Sequence, residues 1–241
     1  LHVGLQGNHS IVGTTSHHTN PFFALLAKDS DENHGEVYGF NLLYSSNFKN
    51  IIEVDRLSNT RVMSGINDEG FHFMLKKNES FYTPETVMTY SNNGLSGMSQ
   101  NFHNFINRNI IEQEFANKSH PIVLNSWEGH HFEITQDKMI DLLDSAKRIG
   151  ADTVVLDDGW FRSNDRTGLG DWKVIKDKFP SLANLADEIH KNGLKFGIWI
   201  EPEMVSEDSD LYRAHPDWAI KSPDGIINLH RYQLILNLTK P

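Results

Sequence analysis

The chain has 241 residues, 22 basic and 32 acidic, for a formal net charge of −10, with 38% hydrophobic and 22% charged residues. That mixture fits a globular chain long enough for one large domain or two ordinary ones. With no cysteine, a disulfide scaffold, a Cys-ligated metal and thiol chemistry are excluded. No uncharged apolar run approaches the ~18 residues of a membrane span. Residues 1–120 carry 8 basic and 12 acidic side chains and residues 121–241 carry 14 and 20. Neither half therefore offers the cationic face that nucleic acid requires.

Residues 1–92 read as β-rich. Glu36–Tyr44 and Ser80–Tyr90 carry aromatic and β-branched residues in partial alternation. Turn clusters at Ser30–Gly35, Ser45–Asn47 and Asn67–Gly70 separate the runs. Strands at this spacing without helices between them predict an antiparallel sandwich. Over Leu95–Ile111, Phe102, Phe105, Ile106 and Ile110 fall at helical spacing, so residues 94–120 are expected as a helical link.

From residue 121 the rhythm alternates. Ile122–Asn125 is short and apolar, and Thr135 can cap a helix with Met139, Leu142, Leu143, Ala146 and Ile149 on one stripe. Gly150 would end it, and Thr153–Leu156 has the continuous apolar character of a strand buried on both faces. Ser181 can cap a second helix through Leu182, Leu185, Ala186 and Ile189, closed by Gly193. Lys195–Ile200 reads as a third strand, Ser209–Ala214 as a short helix and Gln233–Asn237 as a fourth strand. The starts lie roughly 30 to 40 residues apart, against ~31 per βα unit of an eightfold barrel. An open doubly wound sheet fits that period equally well. A chain that stops just after its fourth such strand is expected to be an internal segment of a larger enzyme, because half a barrel leaves raw strand edges.

In parallel βα architectures chemistry gathers at the carboxyl ends of the strands. Here those ends run into Asn125-Ser-Trp-Glu128, Asp157-Asp-Gly-Trp160 and Trp199-Ile-Glu-Pro-Glu203, and Arg231 flanks the last run. Carboxylates accept from sugar hydroxyls, indoles stack on a pyranose face and a guanidinium donates a fork of hydrogen bonds. Each residue also has a plainer reading. Asp157 and Asp158 could open a polar turn, Trp127 and Trp199 could simply pack, and Arg231 could pair with a surface acid. The His17-His18 and His130-His131 pairs and the single histidines, His230 among them, show no chelating spacing near these acids. Gly168-Leu-Gly170 lacks the rest of a dinucleotide fingerprint.

Taken together, Asn125–Glu128, Val155–Phe161, Gly168–Trp172, Leu194–Val205 and Asp208–Trp218 resemble, in order, the microbial α-galactosidases of glycoside hydrolase family 36. Gly13–Phe22, Gly35–Phe40 and Gly94–Gln100 resemble that family's N-terminal β-sandwich. The resemblance implies a multidomain β plus α/β protein. Part of an N-terminal antiparallel β-sandwich (residues 1–93) would be followed, after the link, by the first four βα units of a (β/α)8 TIM barrel (residues 121–241). It implies retaining hydrolysis of terminal α-galactosyl units of melibiose and raffinose-type sugars. It further implies α-galactoside oligosaccharides as partners, no metal or organic cofactor, and a tetramer. By position, Asp157 and Asp158 would hold galactose hydroxyls, Arg231 would bind substrate, and Trp127 and Trp199 would line the pocket.

The family's Lys-Trp-Asp nucleophile motif does not occur in this sequence, so the nucleophile and the acid/base are both expected outside it. A raffinose-synthase-like galactosyltransferase and a non-catalytic carbohydrate-binding fragment stand as alternatives. The lack of cysteine and of a visible signal sequence points to the cytoplasm.

Overall fold

A computed structural model of the chain describes residues 1–225 and 229–240, with backbone alone at 229 and 230. The chain divides into two compact units, Leu1–Lys118 and the residues from Ser119 onward.

The first unit contains β1 (Gly4–His9), β2 (Phe22–Leu26), β3 (Val37–Leu42), β4 (Phe48–Val54), β5 (Thr60–Ile66) and β6 (Thr86–Ser91), then α1 (Gly94–Asn109) and α2 (Gln113–Ala116). The strands form two three-stranded antiparallel sheets, ordered β1-β4-β5 and β2-β3-β6, as part of a β-sandwich requires. The run expected to be a strand over Ser80–Tyr90 becomes one only from Thr86, because Pro84 has no N–H to give a ladder. Helix α1 does not stand apart as a link. It lies on the β2-β3-β6 sheet, where Met98 and Phe102 bury against Val37, and it belongs to the first unit. Gly39 permits this approach, since a Cβ there would stand 2.5 Å from the Phe102 ring and 2.7 Å from the Met98 sulfur.

The second unit begins with β7 (Val123–Asn125), α3 (Trp127–His130), α4 (Gln136–Arg148), β8 (Thr153–Leu156), α5 (Leu182–Lys191) and β9 (Lys195–Ile198). It continues with β10 (Met204–Ser206), α6 (Asp210–Ala214), β11 (Leu229–His230) and β12 (Gln233–Ile235). β7, β8 and β9 form a parallel sheet in that order, with Leu124 beside Val154 and Val154 beside Phe196. Thr135 and Ser181 cap α4 and α5 as their spacing predicts, their hydroxyls accepting from Lys138 N–H at 3.3 Å and Asn184 N–H at 3.1 Å. The buried stripe Met139, Leu143 and Ala146 of α4 and Leu185 and Ile189 of α5 joins Val154, Leu156 and Phe179 in one core.

One expected strand lies elsewhere. Gln233–Ile235 pairs antiparallel with β10 and β11, in a separate sheet ordered β10-β12-β11. Among the described residues the parallel sheet therefore has three strands rather than four. A short apolar run does not encode the direction of its partner, and Met204–Ser206, released by the break at Pro202, supplies an antiparallel edge. Among the described residues no helix is long and apolar enough to cross a membrane.

The turn leaving β8 is tight. Gly159 has φ of +106°, and a Cβ there would meet an Ile134 methyl at 3.0 Å and the Phe132 Cα at 3.1 Å. Gly159→Ala is expected to destabilise the fold by about 1–3 kcal/mol, because left-handed strain and the close backbone add. Leu185→Ala, emptying a fully buried position, is expected to cost about 2–5 kcal/mol. Urea unfolding followed through tryptophan emission measures both, and a midpoint unchanged from the parent would contradict either expectation.

Candidate functional site

The ends of β7 and β8 are tied by their own polar side chains. Asn125, the last residue of β7, donates from Nδ2 to Asp157 Oδ2 at 2.6 Å and accepts the Trp127 N–H on Oδ1 at 2.7 Å. Buried Ser126 accepts the Asp157 N–H on Oγ at 3.0 Å. Asp157 and Trp127 are thus held by one amide.

Asp157 and Asp158 are both buried, 9% and 4% exposed. Asp157 Oδ1 accepts the Asp158 N–H at 2.8 Å. One lone pair on each Asp157 oxygen is therefore used and one remains. Asp158 is more committed. Its Oδ1 accepts the Gly159 N–H at 2.7 Å, and Arg162 Nε reaches both of its oxygens at 2.9 Å while Nη2 donates to Oδ2. The Arg162 side chain is only 1% exposed.

Beside this pair lies a layer of rings. Trp160 donates from Nε1 to the Trp199 carbonyl at 3.0 Å. Trp199 stacks at 6.2 Å on Phe161 with planes 9° apart, and Trp172 lies 6.4 Å from Trp199 and 6.1 Å from Trp160. Trp199 is accordingly half-buried in an aromatic layer, not a free-standing platform. Trp127 sets its edge against His131 and Phe132, at 4.8 and 5.2 Å.

Arg231 sits in the two-residue turn joining β11 to β12, with φ of 51° at Arg231 and 63° at Tyr232. Consecutive left-handed residues are the geometry of a type I′ hairpin, ordinarily filled by Asn and Gly. The turn delivers the Arg231 guanidinium to Glu201 Oε1 at 2.6 Å. Arg231 is 53% exposed, whereas the Glu201 side chain is 12% exposed and its Oε2 is buried with no hydrogen-bond partner among the described residues. Burial pushes the Glu201 carboxyl above the ordinary glutamate range, and the Arg231 charge only partly offsets this.

The five residues singled out from the sequence therefore fall into connected groups. Asp157 and Trp127 share Asn125, and Asp158 and Trp199 flank the Arg162–Phe161 pair. Arg231 joins through Glu201, which feels the charges of both Arg162 and Asp158. Sequence reasoning missed Arg162 and Gln233 as site residues. The one signal for Arg162 was its position four residues after Asp158. Among the described residues no three His, Asp or Glu side chains are grouped to hold a metal ion.

Comparison with known proteins is consistent along the whole chain. Residues 80–241 match the family model Melibiase, and residues 1–76 match the glycosyl hydrolase family 36 N-terminal domain. Alpha-galactosidase AgaA of Geobacillus stearothermophilus is 45% identical over 100% of this chain and 33% of its own length. Alpha-galactosidase Mel36A of Lactobacillus acidophilus is 45% identical over 98% of this chain and 32% of its length. Solved structures of AgaA variants in complex with stachyose and with raffinose superpose with TM-scores of 0.94 and 0.95 at 44% identity, covering 100% of this chain and 34% of theirs. The chain thus spans about a third of the length of the relatives it matches. With that likeness running from end to end, the chain belongs to the melibiase family, and its first 76 residues to the N-terminal domain of glycoside hydrolase family 36.

Proposed function

We propose that this chain supplies the galactose-gripping part of a retaining α-galactosidase, with bond cleavage assigned to polypeptide outside it. The observation that carries the reading is the carboxylate of Asp157. It is fixed at a parallel strand end by Asn125 and a backbone N–H, with one lone pair free on each oxygen. Two acceptors so held suit two neighbouring hydroxyls of a pyranose. Asp158 takes a smaller share, since Arg162 occupies most of its acceptor capacity. Arg231, held by Glu201, would donate to the sugar as well, and Trp127 and Trp199 would contribute ring surface.

A retaining glycosidase needs two carboxyl groups ~5–5.5 Å apart on either side of the scissile bond. Asp157 and Asp158 are adjacent in sequence, and the second is clamped by a guanidinium, so we assign both to binding. The proposed partners are α-galactoside oligosaccharides. The proposed assembly of the full-length protein is a homotetramer, and the proposed compartment is the cytoplasm. The lack of a Lys-Trp-Asp motif in this sequence also supports a non-catalytic galactose-binding reading of the chain by itself.

Two measurements test the proposal. In the full-length protein, Asp157→Ala is expected to lower kcat/KM for an aryl α-galactoside by ~10- to 100-fold, the cost of losing charged hydrogen bonds. The 241-residue chain should bind galactose yet release none from the same substrate. An unchanged kcat/KM would sink the role of Asp157, and turnover by the chain alone would sink the division of labour.

Glu201 gives a pH test. Its folded-state carboxyl binds protons more tightly than the unfolded one, so its contribution to stability declines as pH rises through ~4.3 and beyond. The stability of the parent relative to Glu201→Gln should therefore fall as the pH rises above ~4.3. Unfolding midpoints measured across that range check it, and a difference that rises with pH would be the wrong sign.

A further inference from the structure

We propose that Arg162 is a positioning residue for galactose recognition, holding Asp158 and the Arg231 hairpin in one frame. The inference rests on the reading that Asp158 and Arg231 contact the sugar.

A guanidinium 1% exposed must have its donors matched, because an unpaired buried charge is very costly. Arg162 meets that demand with two partners on different elements. One edge, Nε and Nη2, forks onto the Asp158 carboxylate just beyond β8. The other edge faces Gln233, the first residue of β12, which is itself 0% exposed. With the amide oriented so that both its ends are satisfied, the Gln233 oxygen accepts from Nη1 at 2.9 Å and from Nη2 at 3.3 Å. The Phe161 and Phe132 rings lie 5.3 and 5.7 Å from the guanidinium carbon, and the Asp165 carboxylate is 3.8 Å from Nη2.

Gln233 follows the Arg231-Tyr232 turn directly. That turn holds two bulky residues at positive φ, a backbone conformation that L side chains rarely adopt. It persists only where the surroundings fix it. Arg162 fixes it at Gln233, and Arg166, four residues on, fixes it at Tyr232, its guanidinium carbon 4.2 Å from the ring centroid. Residues 162–166 thus hold the hairpin from which Arg231 reaches Glu201. Arg162 itself, almost wholly enclosed, acts through Asp158 and Arg231 and not by touching the sugar. A lysine would not serve, since one ammonium lacks the planar fork that spans two partners.

The test uses the full-length protein. Calorimetry gives the galactose Kd, steady-state kinetics give KM and kcat, and amide exchange reports on β12. Gln233→Met keeps the Arg162–Asp158 pair and removes only the tie to the hairpin. It is expected to weaken galactose binding ~5- to 30-fold and to speed exchange in β12. Arg162→Lys is expected to weaken binding ~10- to 100-fold, appearing in KM more than in kcat. Arg166→Ala, at an exposed position that leaves the core intact, should weaken binding ~2- to 5-fold and carries the test if either buried variant fails to fold. Adding Gln233→Met to Arg231→Ala should cost little more than Arg231→Ala alone, because both act through one guanidinium. Variants that bind galactose as the parent does, or costs that add in full, overturn the inference. A parent that binds no galactose overturns the functional reading on which it stands.

Discussion

A guanidinium and a carboxylate enclosed together are the constraint around which the second unit is arranged. Neither Asp158 nor Arg162 could be buried without the other, and both lie where a parallel strand ends and a loop begins. The pair consumes the donors and acceptors that the loop after β8 would otherwise leave unmatched. It recruits Gln233 from β12 and sits beside the Phe161 and Phe132 rings. Replacing such a pair by hydrophobic residues can be neutral for stability, so the reason for keeping it here is geometric. A fork bonded on two edges fixes two elements to each other with little freedom.

The neighbouring acid is handled differently, and the contrast separates the roles of two adjacent identical residues. Among the described residues Asp157 meets neutral donors only, an amide and a backbone N–H, each on one oxygen. Asp158 meets a cation on both oxygens. Neutral partners leave acceptor capacity for a ligand, whereas the cation uses most of it. Sequence treats Asp157 and Asp158 alike; their surroundings do not.

Much of the second unit was legible because its signals are local. Thr135 and Ser181 cap helices that their own residues then fill, and the β-branched run at Thr153–Leu156 can hardly be anything but a buried strand. The acids at strand ends followed from the same logic. What was hidden depends on contacts distant in sequence. Gln233 looked like the start of an apolar run, yet its role is set by a side chain 71 positions earlier, and the direction of its strand by β10. In the first unit, Gly4–His9 has two glycines and mostly polar residues, with no alternation to read. It is a strand because β4 pairs with it, and Gly7 is needed there since a Cβ would fall 2.0 Å from the Asn50 carbonyl oxygen.

The ring layer has an optical consequence. Trp172 stands 6.1 Å from Trp160 and 6.4 Å from Trp199, with Trp160 and Trp172 inclined by only 24°. Indoles so close share their electronic excitation, and the handed arrangement of their strong transition dipoles gives paired bands in the far-ultraviolet circular dichroism. The order of these loops is therefore written into the spectrum of the unlabelled chain, where slackening of the indole cluster would register as a loss of band splitting.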